Sequence, residues 1–82
     1  MAKTFHLTIA KVGENLFDGE AVSVTVPASE GVMTVLANHE AIVSPLKEGK
    51  IHVEVADGTK AEFELLTTGI LEVSNNQATV IL

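Results

Sequence analysis

Apolar and polar residues alternate with a period of two along most of this chain. Odd positions are apolar in Phe5-His6-Leu7-Thr8-Ile9, and even positions in Val22-Ser23-Val24-Thr25-Val26. Ile51-His52-Val53-Glu54-Val55 and Ala61-Glu62-Phe63-Glu64-Leu65 alternate as cleanly, and Ala78-Thr79-Val80-Ile81-Leu82 is β-branched and mostly apolar. A strand sends successive side chains to opposite faces, so each segment reads as a strand with one buried and one wet face. The in-phase core is expected at Leu7, Val24, Val53, Val55, Phe63, Leu65, Leu71 and Val80.

Turn residues separate these runs. Asp18-Gly19, Glu48-Gly49, Asp57-Gly58 and Asn75-Asn76 each sit between apolar stretches. Asp57-Gly58 suits a two-residue hairpin turn, since both residues accept positive φ, and Asn75-Asn76 repeats the signal more weakly. Pro27-Ala28-Ser29-Glu30-Gly31 reads as a loop. Val32–Leu36 is a further apolar run, ended by Ala37-Asn38-His39-Glu40. The stretch from Glu30 to Ile42 is rich in Val and Thr and carries no helical stripe. Short strands at regular spacing predict an all-β fold, an antiparallel β-sandwich of about ten short strands (eight at the fewest) in two sheets. Residues 1–82 form a single domain on this reading, with no internal repeat.

Composition narrows function by exclusion. The 82 residues carry five lysines, no arginine, no Trp or Tyr, and a net charge of −6. Bidentate phosphate grips and base-stacking aromatics are therefore missing, and the overall field repels polyanions. Nucleic-acid and anionic-lipid binding are not expected. There is no cysteine, so no disulfide or thiolate site. His6, His39 and His52 lie far apart without ligand-pair spacing, which gives no metal site. A mean hydropathy of +0.34 fits a well-cored domain, yet no apolar run approaches the roughly 20 residues of a membrane-spanning helix. The N-terminal apolar stretch, interrupted by His6 and Thr8, reads as the first strand rather than a signal peptide. A cytosolic location, or attachment to something facing the cytosol, follows.

Catalytic patterns are absent. Ser23, Ser29, Ser44 and Ser74 lie in no nucleophile motif. Glu62 and Glu64 share the wet face of one strand, and Glu14 and Asp18 do not build a cleft of the kind glycosidases need. The glycines are isolated, with no phosphate loop. His39, between Asn38 and Glu40, has two readings: a loop histidine bonded locally or touching a protein, or a catalytic or ligand-binding group paired with Glu30 or Glu40.

Three stretches in series are similar to one family. Phe5-His6-Leu7-Thr8-Ile9 with Leu16-Phe17-Asp18-Gly19-Glu20 resembles the opening strand and turn of ATP synthase epsilon subunits. Ser29-Glu30-Gly31, followed by His39 and then Leu46-Lys47-Glu48-Gly49, resembles that family's Ser-Glu-Gly, His and Lys-x-Gly series. Gly69-Ile70-Leu71-Glu72-Val73 with Asn75-Asn76-Gln77-Ala78-Thr79-Val80 resembles its ending. Departures fall at Thr34, Ala37 and Asn38, where the family tends to have Gly, Pro and Gly, at Ala41 and Glu48 in place of Pro, and at Thr68 in place of Gly.

The resemblance implies a non-catalytic, cofactor-free subunit of the rotary stalk. Its partners would be the gamma subunit and the c-ring, and it would couple rotation of the ring to that of the stalk. It would sit at the cytoplasmic face of the membrane, held there only through the complex, and be a monomer when isolated. Glu30, Gly31, Val32, Asn38 and His39 would lie together at the bottom of the sandwich and touch the c-ring. Ala41, Ile42 and Val43 would meet gamma, or else belong to the core. Longer family members continue into a helical hairpin. With Leu82 as the last residue, neither inhibition by that hairpin nor ATP sensing is expected here. Two other readings stand beside this one: a β-sandwich module for a different protein partner, and a small-ligand binder built on His39.

Overall fold

The computed structural model describes residues 3–82. Within them lie nine strands and no helix: β1 (Phe5–Lys11), β2 (Glu14–Ala21), β3 (Ser23–Ala28), β4 (Gly31–Leu36), β5 (Ile42–Leu46), β6 (Gly49–Glu54), β7 (Lys60–Leu65), β8 (Gly69–Ser74) and β9 (Gln77–Ile81). One sheet runs β2-β1-β9-β8-β5 and the other β4-β3-β6-β7. The pair Ala28 and Leu46 is the only ladder contact between β3 and β5, and it makes the two sheets one continuous curled surface. The expected sandwich is therefore present. All strand pairs are antiparallel except β1 with β9, where the first and last strands run parallel from His6 opposite Gln77 to Ala10 opposite Ile81.

The alternation decides which side chains meet inside. Phe5, Leu7 and Ile9 of β1, with Leu71, Val73 and Val80 of the same sheet, share one buried core with Val24 and Val26 of β3 and Ile51 and Val53 of β6 from the other. Among the described residues the core holds no polar side chain. Each fully buried aliphatic or aromatic group contributes about 1.5–3 kcal/mol against its exposed state. Six of the eight expected core residues are fully buried; Val55 and Phe63 are half-buried and pack at the periphery. Phe63 meets Phe17 edge to face, with ring centroids 6.3 Å apart, closing the side where β2 and β7 approach.

Local chemistry departs from expectation at the β6–β7 turn, at Asp18-Gly19 and at Pro27-Ala28, and meets it at Asn75-Asn76. The β6–β7 connection is longer than a two-residue turn. The Val55 N–H donates to Thr59 O at 2.9 Å and the Gly58 N–H to Val55 O at 3.0 Å. Only Gly58 takes positive φ, so Ala56 and Asp57 form the bend and Gly58 the left-handed residue after it. Asn75-Asn76 is the tight two-residue turn, with φ of 51° and 58° and Ser74 opposite Gln77. Asparagine tolerates this region because its side chain bonds locally. Asp18 and Gly19 make no turn at all. They lie inside β2, where a Cβ on Gly19 would lie 3.9 Å from the Phe17 ring. Likewise Pro27 and Ala28 continue β3, leaving only Ser29-Glu30 as the β3–β4 turn.

The corner explains a glycine. A Cβ on Gly49 would lie 2.9 Å from the Pro27 Cβ, and its φ of 157° also disfavours a side chain. Gly49→Ala is expected to destabilise the fold by about 1–3 kcal/mol through overpacking, a fall of about 4–8 °C in Tm per kcal/mol for a domain of this size. Gly19→Ala, whose nearest neighbour lies at 3.9 Å, should change stability by less than about 1 kcal/mol. Thermal unfolding of the two variants checks the contrast.

Candidate functional site

Strand β4 separates the residues that the resemblance groups at the bottom of the sandwich. Glu30 sits in the turn before Gly31, and Asn38-His39 follow Leu36 at the other end. Six residues of strand span roughly 17 Å. Glu30 and His39 therefore project from opposite ends of β4 and do not converge.

Around His39 the chain is held by backbone and amide groups. Asn38 adopts φ of 62°, and its N–H donates to Asn76 Oδ1 at 2.7 Å. Asn76 Nδ2 donates to Thr4 O at 3.0 Å, and the His6 N–H to Asn76 O at 3.2 Å. One asparagine thus ties the β8–β9 turn to the entry of β1 and to the β4–β5 loop. His39 itself is half-buried, and its Nδ1 lies 2.8 Å from Glu40 O. A carbonyl can only accept, so Nδ1 carries the proton. The Glu40 carboxylate takes no part, and Glu30 is a strand length away. The pairing of His39 with Glu30 or Glu40 that a ligand binder would need is not formed.

Val32 and Val43 come together instead. An open groove of about 490 Å³ is lined by Ser29, Glu30, Gly31, Val32 and Met33 on one bank and by Val43, Ser44 and Pro45 on the other. Val32 is 76% exposed and Val43 66%, whereas Ile42 is half-buried against the core and Ala41 is exposed beside it. Of the stretch Ala41-Ile42-Val43, Ile42 thus serves the core and Val43 the surface. Leu36, at 55% exposure, extends the apolar surface along β4. No charged residue lies within β3, β4 or β5.

Charge collects elsewhere. On the wet face of β1–β2, His6 Nε2 lies 2.6 Å from Asp18 Oδ1 and Nδ1 lies 3.3 Å from Glu20 Oε2. Carboxylates accept, so both contacts are satisfied only by the doubly protonated ring. The Asp18 hydrogen bond is the main cause that pushes the His6 pKa up; desolvation, next in size, opposes it, and the Glu20 hydrogen bond and the two carboxylate charges add to the rise. Thr4 Oγ1 also donates to Glu20 Oε1 at 2.9 Å. On the outer face of β6–β7, Glu62 forms an ion pair with Lys50 at 3.5 Å and faces His52 Nδ1 at 3.3 Å. At the tip of that hairpin, hydrogen bonds from Thr59, its hydroxyl first and then its N–H, hold the Asp57 carboxyl below the usual range. Among the described residues no group of three or more His, Asp and Glu side chains could hold a metal ion.

The His6 trio escaped the sequence reading. Its signal was the spacing of Asp18 and Glu20, two apart and thus on one face. The register that brings them to His6 is set by the β1–β2 turn and by a bulge between Ile9 and Ala10. Because the folded pKa is raised above 6.5, the contribution of the protonated ring to stability is complete below 6.5 and is lost as pH rises through the folded value. An NMR titration of the His6 ring should give a midpoint above 6.5, and Asp18→Asn should bring it down. An unmoved midpoint in Asp18→Asn would show that the Asp18 contact does not hold the proton.

Comparison with known proteins agrees with this architecture. A family model described as ATP synthase, Delta/Epsilon chain, beta-sandwich domain matches residues 4–82. An ATP synthase epsilon chain of Delftia acidovorans is 35% identical over 78 residues, 95% of this chain and 56% of the relative. One of Nitratiruptor sp. is 40% identical over 78 residues, 95% of this chain and 60% of the relative. The chain thus spans little more than half the length of the curated relatives it matches. It superposes with a TM-score of 0.88 and 26% identity on a chain in the cryo-EM structure of the Euglena gracilis mitochondrial ATP synthase with OSCP, F1 and c-ring, covering 95% of this chain and 49% of that one. A chain of the central stalk and c-ring of the Tetrahymena thermophila mitochondrial ATP synthase, at 15% identity and a TM-score of 0.76, shares the fold; 98% of this chain and 63% of that one are covered.

Proposed function

The chain belongs to the ATP synthase delta/epsilon β-sandwich family, and from that premise we propose that it is a non-catalytic subunit of the central stalk. It binds gamma and the c-ring and couples proton-driven rotation of the ring to ATP synthesis. The observation that carries this reading is the uncharged, apolar-exposed side of the sandwich edged by β4 and β5. Large apolar side chains left wet on a small domain mark a partner surface. Val32, Leu36 and Val43 are such side chains, and they lie where β3, β4 and β5 carry no charge, whereas the exposed Val12 and Leu66 lie beside Lys11 and Glu64.

The two ends of β4 divide the work. Glu30-Gly31 at one end and Asn38-His39 at the other present polar groups to the polar loops of the c-ring. Val32, next to Gly31, is expected in the c-ring set but lies with Val43 on one groove, and the two form the grip on gamma, with Ala41 and Ile42 supporting it. Polar rims set orientation and apolar anchors set affinity. The subunit reaches the membrane only through the complex, at its cytoplasmic face. No helix among the described residues is long and apolar enough to cross a membrane.

Calorimetric titration into the cognate gamma subunit at moderate salt should give saturable one-to-one binding. Val43→Lys should weaken it by about tenfold or more, since a charge replaces an apolar anchor, with Tm little changed because Val43 is exposed and a lysine there lies opposite Glu72. Absence of binding to a folded gamma would overturn the proposal. His39→Ala should fold normally and lower coupled ATP synthesis in the assembled enzyme, because a loop side chain holds few core contacts. A variant that fails to fold would make His39 structural.

A further inference from the structure

Four strands have an open edge: β2 and β5 in one sheet, β4 and β7 in the other. An open edge offers unpaired N–H and C=O groups to any extended chain, and proteins guard such edges with charge, proline or bulges. Strand β2 carries Glu14, Asp18 and Glu20 and pairs through a bulge. Strand β7 carries Lys60, Glu62 and Glu64. Strand β5 contains Pro45, whose carbonyl already accepts from the Ser29 N–H at 3.1 Å. Strand β4, Gly31-Val32-Met33-Thr34-Val35-Leu36, has no charge, no proline and no bulge.

The hairpin fixes which groups of β4 are free. Ala28 and Gly31 close a two-residue turn and form a hydrogen-bonded pair, as do Val26 with Met33 and Val24 with Val35 by alternation. Lys47 N–H donates to Pro27 O at 2.9 Å, so Pro27 faces away from β4, in the same phase. Val32, Thr34 and Leu36 therefore direct their backbone groups outward, and all three are exposed.

We propose that β4 receives an extended segment of the gamma subunit as an added strand, with main-chain bonds to Val32, Thr34 and Leu36 and apolar contact to Val32 and Val43. This deepens the stalk reading and rests on it. The segment it fits is uncharged through its middle, with a basic residue at an end to meet Glu40, which follows β4 and is exposed. A second copy of this chain fits poorly, since each copy carries −6 and would bring acids against acids. Strand addition of this kind takes affinity from the backbone and specificity from alternate side chains.

Amide hydrogen exchange of the chain, free and bound to gamma, tests it. In the free chain Val32, Thr34 and Leu36 should exchange fast while Met33 and Val35 are already slow. On binding, the first three should slow by about tenfold or more, a shift of the size that separates hydrogen-bonded from open amides. Saturable binding that leaves them fast would overturn strand addition and keep the stalk function. No binding would overturn both. Thr34→Pro removes an outward donor that bonds nothing in the free chain. Folded by circular dichroism, it should bind gamma about tenfold more weakly, and undiminished affinity would count against the added strand. Should it not fold, the exchange pattern decides.

Discussion

One corner organises the molecule. At Ala28 and Leu46 the two sheets share their one ladder contact, that of β3 with β5. The corner is held by Ser29 N–H on Pro45 O at 3.1 Å and Lys47 N–H on Pro27 O at 2.9 Å. Two prolines sit where they lose little: Pro27 is without an N–H on the edge where its carbonyl is the group in use, and Pro45 lies on an edge strand. Gly49 then passes so close to Pro27 that no side chain fits. The Lys-x-Gly series of the resemblance has a steric meaning here: Lys47 supplies the backbone bond and Gly49 the clearance. Gly69 is similar, since a Cβ on it would lie 2.6 Å from Ile81 O.

The opposite end of the sandwich is held by Asn76. Its carbonyl, its Oδ1 and its Nδ2 reach three different segments. An all-apolar core sets which faces are buried, but it is non-directional and does not fix where loops sit. The directional bonds of Asn76 do that for Asn38, and so for His39. A rim loop with a defined shape is thus obtained from one side chain rather than from core packing.

Period-two alternation made the strands, their inward faces and the sandwich legible, because burial on one face leaves little freedom of register. Turn chemistry was less legible. Asp57-Gly58 and Asn75-Asn76 look alike as residue pairs, yet they form turns of different length. The difference lies in which residue must take positive φ once the flanking strands pair, and that is a tertiary property. Asp18-Gly19 reads as punctuation because both residues favour turns, but inside β2 the carboxylate has His6 and the glycine has the Phe17 ring. Pairings far apart in sequence were not readable. The parallel contact of β1 with β9 and the placing of Glu30 and His39 at opposite ends of β4 both depend on topology. A motif series lists residues in order and says nothing of the strand length between them.

The open edge of β4 follows from the corner. Because β3 gives its far edge to β6 at one end and to β5 at the other, β4 can pair only with β3, and its outer edge has no strand to meet. The molecule guards its other edges: the charges carried within strands lie on β1, β2, β6, β7 and β8, and around β4 only the flanking loops bear any, at Glu30 and Glu40. An uncharged edge beside exposed valines would be an aggregation hazard on a free domain. On a domain that spends its life against a partner the same edge is a binding device, and a charge there would oppose the contact. The distribution of charge is thus intelligible if the β4–β5 side is covered in the working assembly, and it has no evident purpose if that side stays in water.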